Sequence, residues 1–95
     1  MLTISMENVL IALCNMSDED RQDLKLERLA LKANVSLNSV KRAIPVLKQH
    51  GLIAVHKRSE HGPDSLYSFA VTREAKFKAN LIKHVQDYQN VPLSR

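Results

Sequence analysis

The spacing of apolar residues along the chain predicts helices at both ends and a change of period in between. In the first segment apolar residues recur at intervals of three and four, at Met6, Val9, Leu10 and Leu13. This spacing is the helical period and predicts a helix over residues 3–16. The polar cluster that follows interrupts the pattern and predicts a connection over residues 17–24.

Two shorter helices are predicted next, over residues 25–33 and about 37–50. Asn34 suits the end of the first, because asparagine tolerates the left-handed backbone that often closes a helix. Ser36 is a good N-cap for the second, and Gly51 follows its last turn. Helices joined by only three residues must cross at a steep angle, which is the geometry of a helix-turn-helix.

After Gly51 the period of the apolar residues changes from 3.6 to 2. Ile53 and Val55 alternate with other residues, and Tyr67, Phe69 and Val71 do the same. Such alternation predicts two strands with one buried face, joined by the polar stretch 56–65 as a hairpin loop.

A last helix is predicted over residues 73–89, and the tail 90–95 is expected to fray. This helix carries two apolar stripes. One contains Phe77, Leu81, Val85 and Tyr88, and the other contains Ala75, Ala79 and Ile82. One stripe is enough to pack on the domain, and we assign the first to that role. The second stripe is then a candidate interface, unless both pack against the first helix.

Length and charge further restrict the number of domains and the kind of binding partner. The 95 residues suit a single domain spanning 1–95, mainly α with a small β-hairpin. Residues 1–33 carry four Lys or Arg against six Asp or Glu, a net charge of −2, whereas residues 34–95 carry ten against four, a net charge of +6. This asymmetry fits either a face that meets a polyanion or an unevenly charged solvated surface.

The segment from Leu26 to Ile53 resembles the core of the winged helix-turn-helix family, which includes many bacterial and phage regulators and replication initiators. Its matching positions are Leu29, Ala30, Val35, Ser36, Ser39, Val40, Arg42, Ala43, Ile44, Leu47, Gly51, Leu52 and Ile53. The resemblance implies a three-helix core, a two-stranded wing and a C-terminal helix. It also implies a double-stranded DNA partner, and a homodimer through the terminal helix that contains Ala75, Ala79 and Ile82.

Helical geometry selects the candidate DNA-binding residues. The face of the third helix opposite its apolar stripe contains Asn38, Arg42, Pro45 and Gln49, and Lys41 and Lys48 flank it. Asn38 and Arg42 are the candidates for reading bases, because Asn pairs with adenine and Arg with guanine in the major groove. Ser36, Ser39 and Lys41 are better placed for phosphates.

The hairpin loop adds three further candidates, Lys57, Arg58 and His61. In a wing they would contact the DNA backbone or the minor groove. A solvated hairpin tip would also carry charge, and Glu60 and Asp64 oppose a phosphate contact.

Other kinds of site are not expected. The histidines and Cys14 lack metal-ligand spacing, there is no glycine-rich phosphate loop, and no nucleophile stands in a recognisable catalytic motif. We therefore expect no enzyme activity, no cofactor, no metal, no small-molecule effector and no membrane segment. A lone cysteine and no export signal favour a cytoplasmic protein.

Three functions remain open at this point. The first is a small transcriptional regulator, such as the repressor of a phage, plasmid or other mobile element. The second is a replication or partition initiator that uses the same helix at an origin. The third is a winged helix that binds only other proteins, although such modules usually lack basic residues like Lys41, Arg42 and Lys48 on the recognition helix.

Overall fold

The computed structural model describes residues 2–57 and 65–89 of the chain. Four helices and one antiparallel pair of strands follow one another as α1 Ile4–Asn15, α2 Leu26–Ala33, α3 Leu37–Gln49, β1 Ile53–Lys57, β2 Tyr67–Val71 and α4 Arg73–Gln89. This is the winged helix-turn-helix fold that the sequence predicts, with α1, α2 and α3 as the core and the strands as the wing. None of the helices described is both long and apolar enough to span a lipid bilayer.

The ends of α1, α2 and α3 are fixed by local interactions. Thr3 and Ser36 cap α1 and α3, each accepting a backbone hydrogen bond from the residue three positions later. Asn34 adopts the left-handed conformation, with φ 57° and ψ 46°, and ends α2. The predicted roles of Asn34 and Ser36 are confirmed, because a cap depends on its immediate neighbours. Thr3 was predicted as the first residue of the helix and is instead its N-cap.

Gly51 ends α3 in a hydrogen-bonded turn that needs a positive φ. Its φ is 71°. The amide of Leu52 donates to the carbonyl of Leu47 at 3.0 Å, and the amide of Gly51 donates to the carbonyl of Lys48 at 3.0 Å. This pair of bonds is the Schellman arrangement. A Cβ at Gly51 would meet nothing within 4 Å. The backbone conformation alone therefore favours glycine here.

The wing is an antiparallel pair in which Ile53 lies opposite Val71 and Lys57 opposite Tyr67. Ile53 and Phe69 are buried, which confirms the predicted alternation. The loop was predicted to begin at residue 56, but His56 and Lys57 belong to β1. That boundary was wrong because strand pairing uses the backbone, and polar side chains do not interrupt it.

A third chain segment extends this sheet by one isolated bridge. Leu24 and Tyr67 exchange backbone hydrogen bonds of 2.8 and 3.0 Å, and the amide of Phe69 donates to the carbonyl of Arg21 at 3.0 Å. The connection before α2 is thus tied to β2. The prediction of a simple polar connection over residues 17–24 missed this pairing, since one bridge produces no alternating pattern.

The assignment of the two stripes of α4 was wrong. Ala75 is fully buried, Ala79 is 5% exposed, and Ile82 packs against the core. Phe77, by contrast, is 66% exposed, and Leu81 and Val85 are each 50% exposed. The stripe of Ala75, Ala79 and Ile82, called the alanine stripe below, therefore faces the domain. Small side chains allow α4 to approach α1 closely. The exposed set of Phe77, Leu81 and Val85 is called the α4 strip below.

Candidate nucleic-acid interface

The outer face of α3 is polar, basic and exposed. Its buried side chains are Val40, Ala43 and Leu47. The exposed residues on the other side are Asn38, Lys41, Arg42, Pro45, Lys48 and Gln49. At 100° per residue these six fall within an arc of about 120°. The helix contains three cations and no acidic residue, so this face carries an uninterrupted positive charge.

The first turn of α3 is organised by two serines. The Ser36 hydroxyl accepts a hydrogen bond from the Ser39 amide at 3.1 Å and donates one to the Ser39 hydroxyl at 2.9 Å. One of the two hydroxyl protons is used in this contact, so the pair keeps one hydroxyl proton to donate to a phosphate. Ser36 is exposed and Ser39 is half-buried.

The wing contributes one described residue to the candidate set. Lys57 is exposed at the last position of β1, and its Nζ lies 6.0 Å from the centre of the Tyr67 ring. Arg58 and His61, as well as Glu60 and Asp64, lie outside the described residues. Their proposed contacts stay predictions from the sequence.

A groove brings α3 and the wing together. Lys41 of α3 and Lys57 of β1 both line it, together with Leu37, Tyr67 and Glu27 of α2. Sequence reasoning placed Lys41 on the helix and Lys57 on the wing as separate contacts. It missed Tyr67 as a member of the site, although an aromatic residue at a strand end opposite a lysine is a signal that could have found it.

A second, more apolar groove lies at the far end of α3. It has a volume of about 580 Å³ and is lined by His50 and Leu52 together with Arg73, Glu74, Phe77, Lys78 and Leu81 of α4. Phe77 and Leu81 belong to the α4 strip, so this groove and the strip form one continuous apolar surface.

Cys14 has the environment of an unreactive thiol. Burial raises its pKa above the ordinary value, and the positive charges of Arg21 and Lys76 oppose that rise only in part. The thiol therefore stays protonated at neutral pH, whereas the thiolate is the nucleophile and the metal ligand. Within residues 2–57 and 65–89, no group of three or more His, Cys, Asp or Glu could hold a metal ion.

Comparison with known proteins shows the fold. No family model matches the chain, and no curated protein is similar to it. Among solved structures, a zinc-dependent MarR-family transcriptional regulator, AdcR in its zinc-bound state, superposes with a TM-score of 0.53 and 24% sequence identity. The match covers 98% of this chain and 64% of that one. The chain thus spans less than two thirds of a winged-helix regulator whose fold it shares.

Proposed function

We propose that this chain is a transcriptional regulator that binds double-stranded DNA, with α3 in the major groove and the wing on the DNA backbone. The observation that carries the proposal is the exposed face of α3. It presents Asn38 and Arg42 to base edges and Lys41 and Lys48 to phosphates, with no acidic residue on the helix. The structural likeness to a transcriptional regulator supports the same function.

Salt dependence provides the test. Fluorescence anisotropy on random duplex DNA should show binding whose log K falls with log salt at a slope between about −2 and −3, because Lys41, Lys48 and Lys57 together neutralise two or three phosphates. A slope near zero, or no binding at low salt, would exclude this function and favour a protein-interaction module. A preferred site selected from a random library then distinguishes a regulator from an initiator, according to whether it lies at a promoter or among origin repeats.

Arg42→Ala should weaken binding to the selected site by about 1–3 kcal/mol and remove the preference at one base position. The reason is that arginine can donate two hydrogen bonds to one guanine. The measurement is anisotropy on the selected duplex and on its single-base variants. Lys83→Ala, which removes a cation from the α4 face near Cys14, serves as the control and should leave the preference intact. An unchanged binding profile for Arg42→Ala would remove this residue from base readout.

We further propose that two copies associate through the α4 strip. Phe77, Leu81 and Val85 recur every four residues, so they lie along one side of α4, and half or more of each is exposed. Around a two-fold axis at Leu81, this strip is complementary to itself, because Phe77 then faces Val85 of the second copy. A dimer would present two α3 helices to half-sites about 34–36 Å apart.

Leu81→Glu should convert this dimer to a monomer, because two carboxylates would meet at the two-fold axis. Sedimentation velocity measures the change, and the fold should persist because Leu81 is 50% exposed. Asn80→Glu is the matched control, since it places the same charge one residue away, beside the groove between α1 and α4. A wild-type monomer, or a Leu81→Glu dimer, would contradict the proposed interface.

A further inference from the structure

The groove between α3 and the wing collects side chains from four elements, α2, α3, β1 and β2. Its volume is about 300 Å³, and its lining includes Glu27 of α2, Leu37 and Lys41 of α3, Lys57 of β1, and Tyr67 of β2. At about 30 Å³ for each water, the groove has room for about ten waters, which exceeds the space needed by a phosphate of five heavy atoms.

The floor of this groove is fixed by the sheet. Tyr67 is held by its two backbone hydrogen bonds with Leu24, at 2.8 and 3.0 Å. Its ring lies against Phe69, with the ring centres 6.3 Å apart, and Phe69 is 1% exposed. Tyr67 therefore forms a fixed floor, and its ring is anchored to the core.

That floor positions a cation. Lys57 lies directly opposite Tyr67 in the strand register, and its Nζ is 6.0 Å from the centre of the ring. This distance is at the outer limit for an attraction between an ammonium group and an aromatic face. The attraction favours the conformations of Lys57 that keep its ammonium group beside the groove.

The charges of the groove favour an anion. Lys41 and Lys57 approach it from different elements, and Glu27 is the acidic residue in its lining. Two like charges that line one groove repel each other, and an anion bound in the groove attracts both of them. A negatively charged oxygen that also accepts hydrogen bonds from both lysines gives the stronger, charge-assisted kind of hydrogen bond.

We propose that Lys41 and Lys57 together bind one phosphate of the DNA backbone in this groove, with Tyr67 as the residue that positions Lys57. The inference rests on the proposed function and deepens it. A single phosphate held from both sides fixes the angle between α3 and the wing on DNA. It also fixes the register of Asn38 and Arg42 along the bases, because both lie on the same helix as Lys41.

The test compares Lys41→Gln, Lys57→Gln and the double variant, with Lys48→Gln as the control outside the groove. When two lysines share one phosphate, either one still neutralises it after the other is lost. The slope of log K against log salt should therefore change little in Lys41→Gln or in Lys57→Gln alone. It should change by about one when both substitutions are combined. Lys48→Gln by itself should change the slope by about one.

A duplex with one neutral methylphosphonate, moved along the selected site, locates the shared phosphate. At one position the substitution should weaken binding of the wild type and of Lys48→Gln, and it should have almost no effect on the double variant. Glu27→Gln should tighten binding, and a methylphosphonate at that same position should abolish this gain. A slope change of about two in the double variant, with two separate sensitive positions, would overturn the shared site and leave DNA binding intact.

The role of Tyr67 has its own readout. Tyr67→Phe keeps the ring and should bind DNA like the wild type, whereas Tyr67→Leu should weaken binding and should have no further effect when Lys57 is already Gln. Equal losses with and without Lys57 would make the role of Tyr67 purely structural and overturn the positioning.

A nucleoside monophosphate, titrated at constant ionic strength, separates a backbone phosphate from a free one. If the nucleotide does not displace DNA, this result supports a phosphate of the DNA backbone as the ligand of the groove. If it displaces DNA and Lys41→Gln abolishes the displacement, the groove would instead be assigned to a phosphorylated small molecule. If the wild type binds no DNA at any salt concentration, the proposed function and the shared phosphate fail together.

Discussion

Arg21→Ala is expected to lower the free energy of unfolding by about 3 kcal/mol, although this residue lies in a connection between helices. Arg21 is 4% exposed. Its Nη1 donates to the carbonyls of Leu13 and Met16 at 2.7 and 2.6 Å, and its Nη2 donates to the carboxylate of Asp18. Leu13 lies in the last turn of α1, and Met16 is its C-cap.

The physical reason is that the last carbonyls of a helix have no partner within the helix. Arg21 donates to two carbonyls at this end of α1, of which that of Leu13 also accepts from the Met16 amide at 3.3 Å. It also brings a positive charge to the negative end of the helix dipole. A hydrogen bond to a charged group contributes about 1.5–3 kcal/mol. Water that enters the space left by the arginine side chain recovers part of that amount. The net loss is therefore expected to be about 3 kcal/mol, the lower limit for two such hydrogen bonds.

Urea denaturation followed by circular dichroism measures the loss, and a thermal midpoint lower by roughly 12–24 °C should accompany it. Arg28→Ala on the exposed side of α2 is the matched control and should change stability by less than about 0.5 kcal/mol. Asp18→Asn should also have a small effect, since Asp18 is 95% exposed and the amide oxygen of the asparagine can still accept a hydrogen bond from Nη2 of Arg21. Equal stability of Arg21→Ala and Arg28→Ala would contradict the role of Arg21.

Ala75→Glu is expected to lower the free energy of unfolding by about 3–5 kcal/mol. Ala75 is fully buried in the first turn of α4. The surrounding backbone is also constrained, because the Ala75 amide donates to the Thr72 hydroxyl at 3.1 Å and that hydroxyl donates to the Leu52 carbonyl at 3.1 Å. A glutamate here needs space that is already filled, and its carboxylate would lose its water.

Two further variants separate size from charge. Ala75→Leu adds volume alone and should cost about 1–3 kcal/mol. Asn80→Glu adds the same carboxylate at an exposed position of α4 and should cost less than about 1 kcal/mol. If Ala75→Glu instead remained as stable as the wild type and became a monomer, the alanine stripe would be the interface between copies, as the sequence first suggested.

The amino-acid sequence by itself determined the elements of this protein and most of their ends. Thr3 and Ser36 cap helices, and Asn34 and Gly51 end them in left-handed conformations. These features depend on residues within about one helical turn, so a linear sequence contains them completely. The basic face of α3 was likewise predictable, because the helical period alone separates Lys41, Arg42 and Lys48 from the buried stripe.

Only the tertiary structure decided which face of α4 is buried. Hydrophobicity favours Phe77 and Leu81 as the inward residues, yet α4 packs through Ala75 and Ala79. The distance between α4 and α1 decides the outcome, since small side chains permit a close approach that large ones prevent. That distance depends on the whole fold and is absent from the local pattern.

The roles of Arg21 and Tyr67 were decided in the same way. Arg21 stands among acidic residues and looks solvated, but the fold buries it against the end of α1. Tyr67 looks like one more inward residue of a strand, but the bridge to Leu24 and the approach of α3 make it the floor of a groove. Sequence patterns report which residues share a face of one element. The partners that each face meets are set by packing between elements, and in this protein that packing creates the groove that α3 shares with the wing.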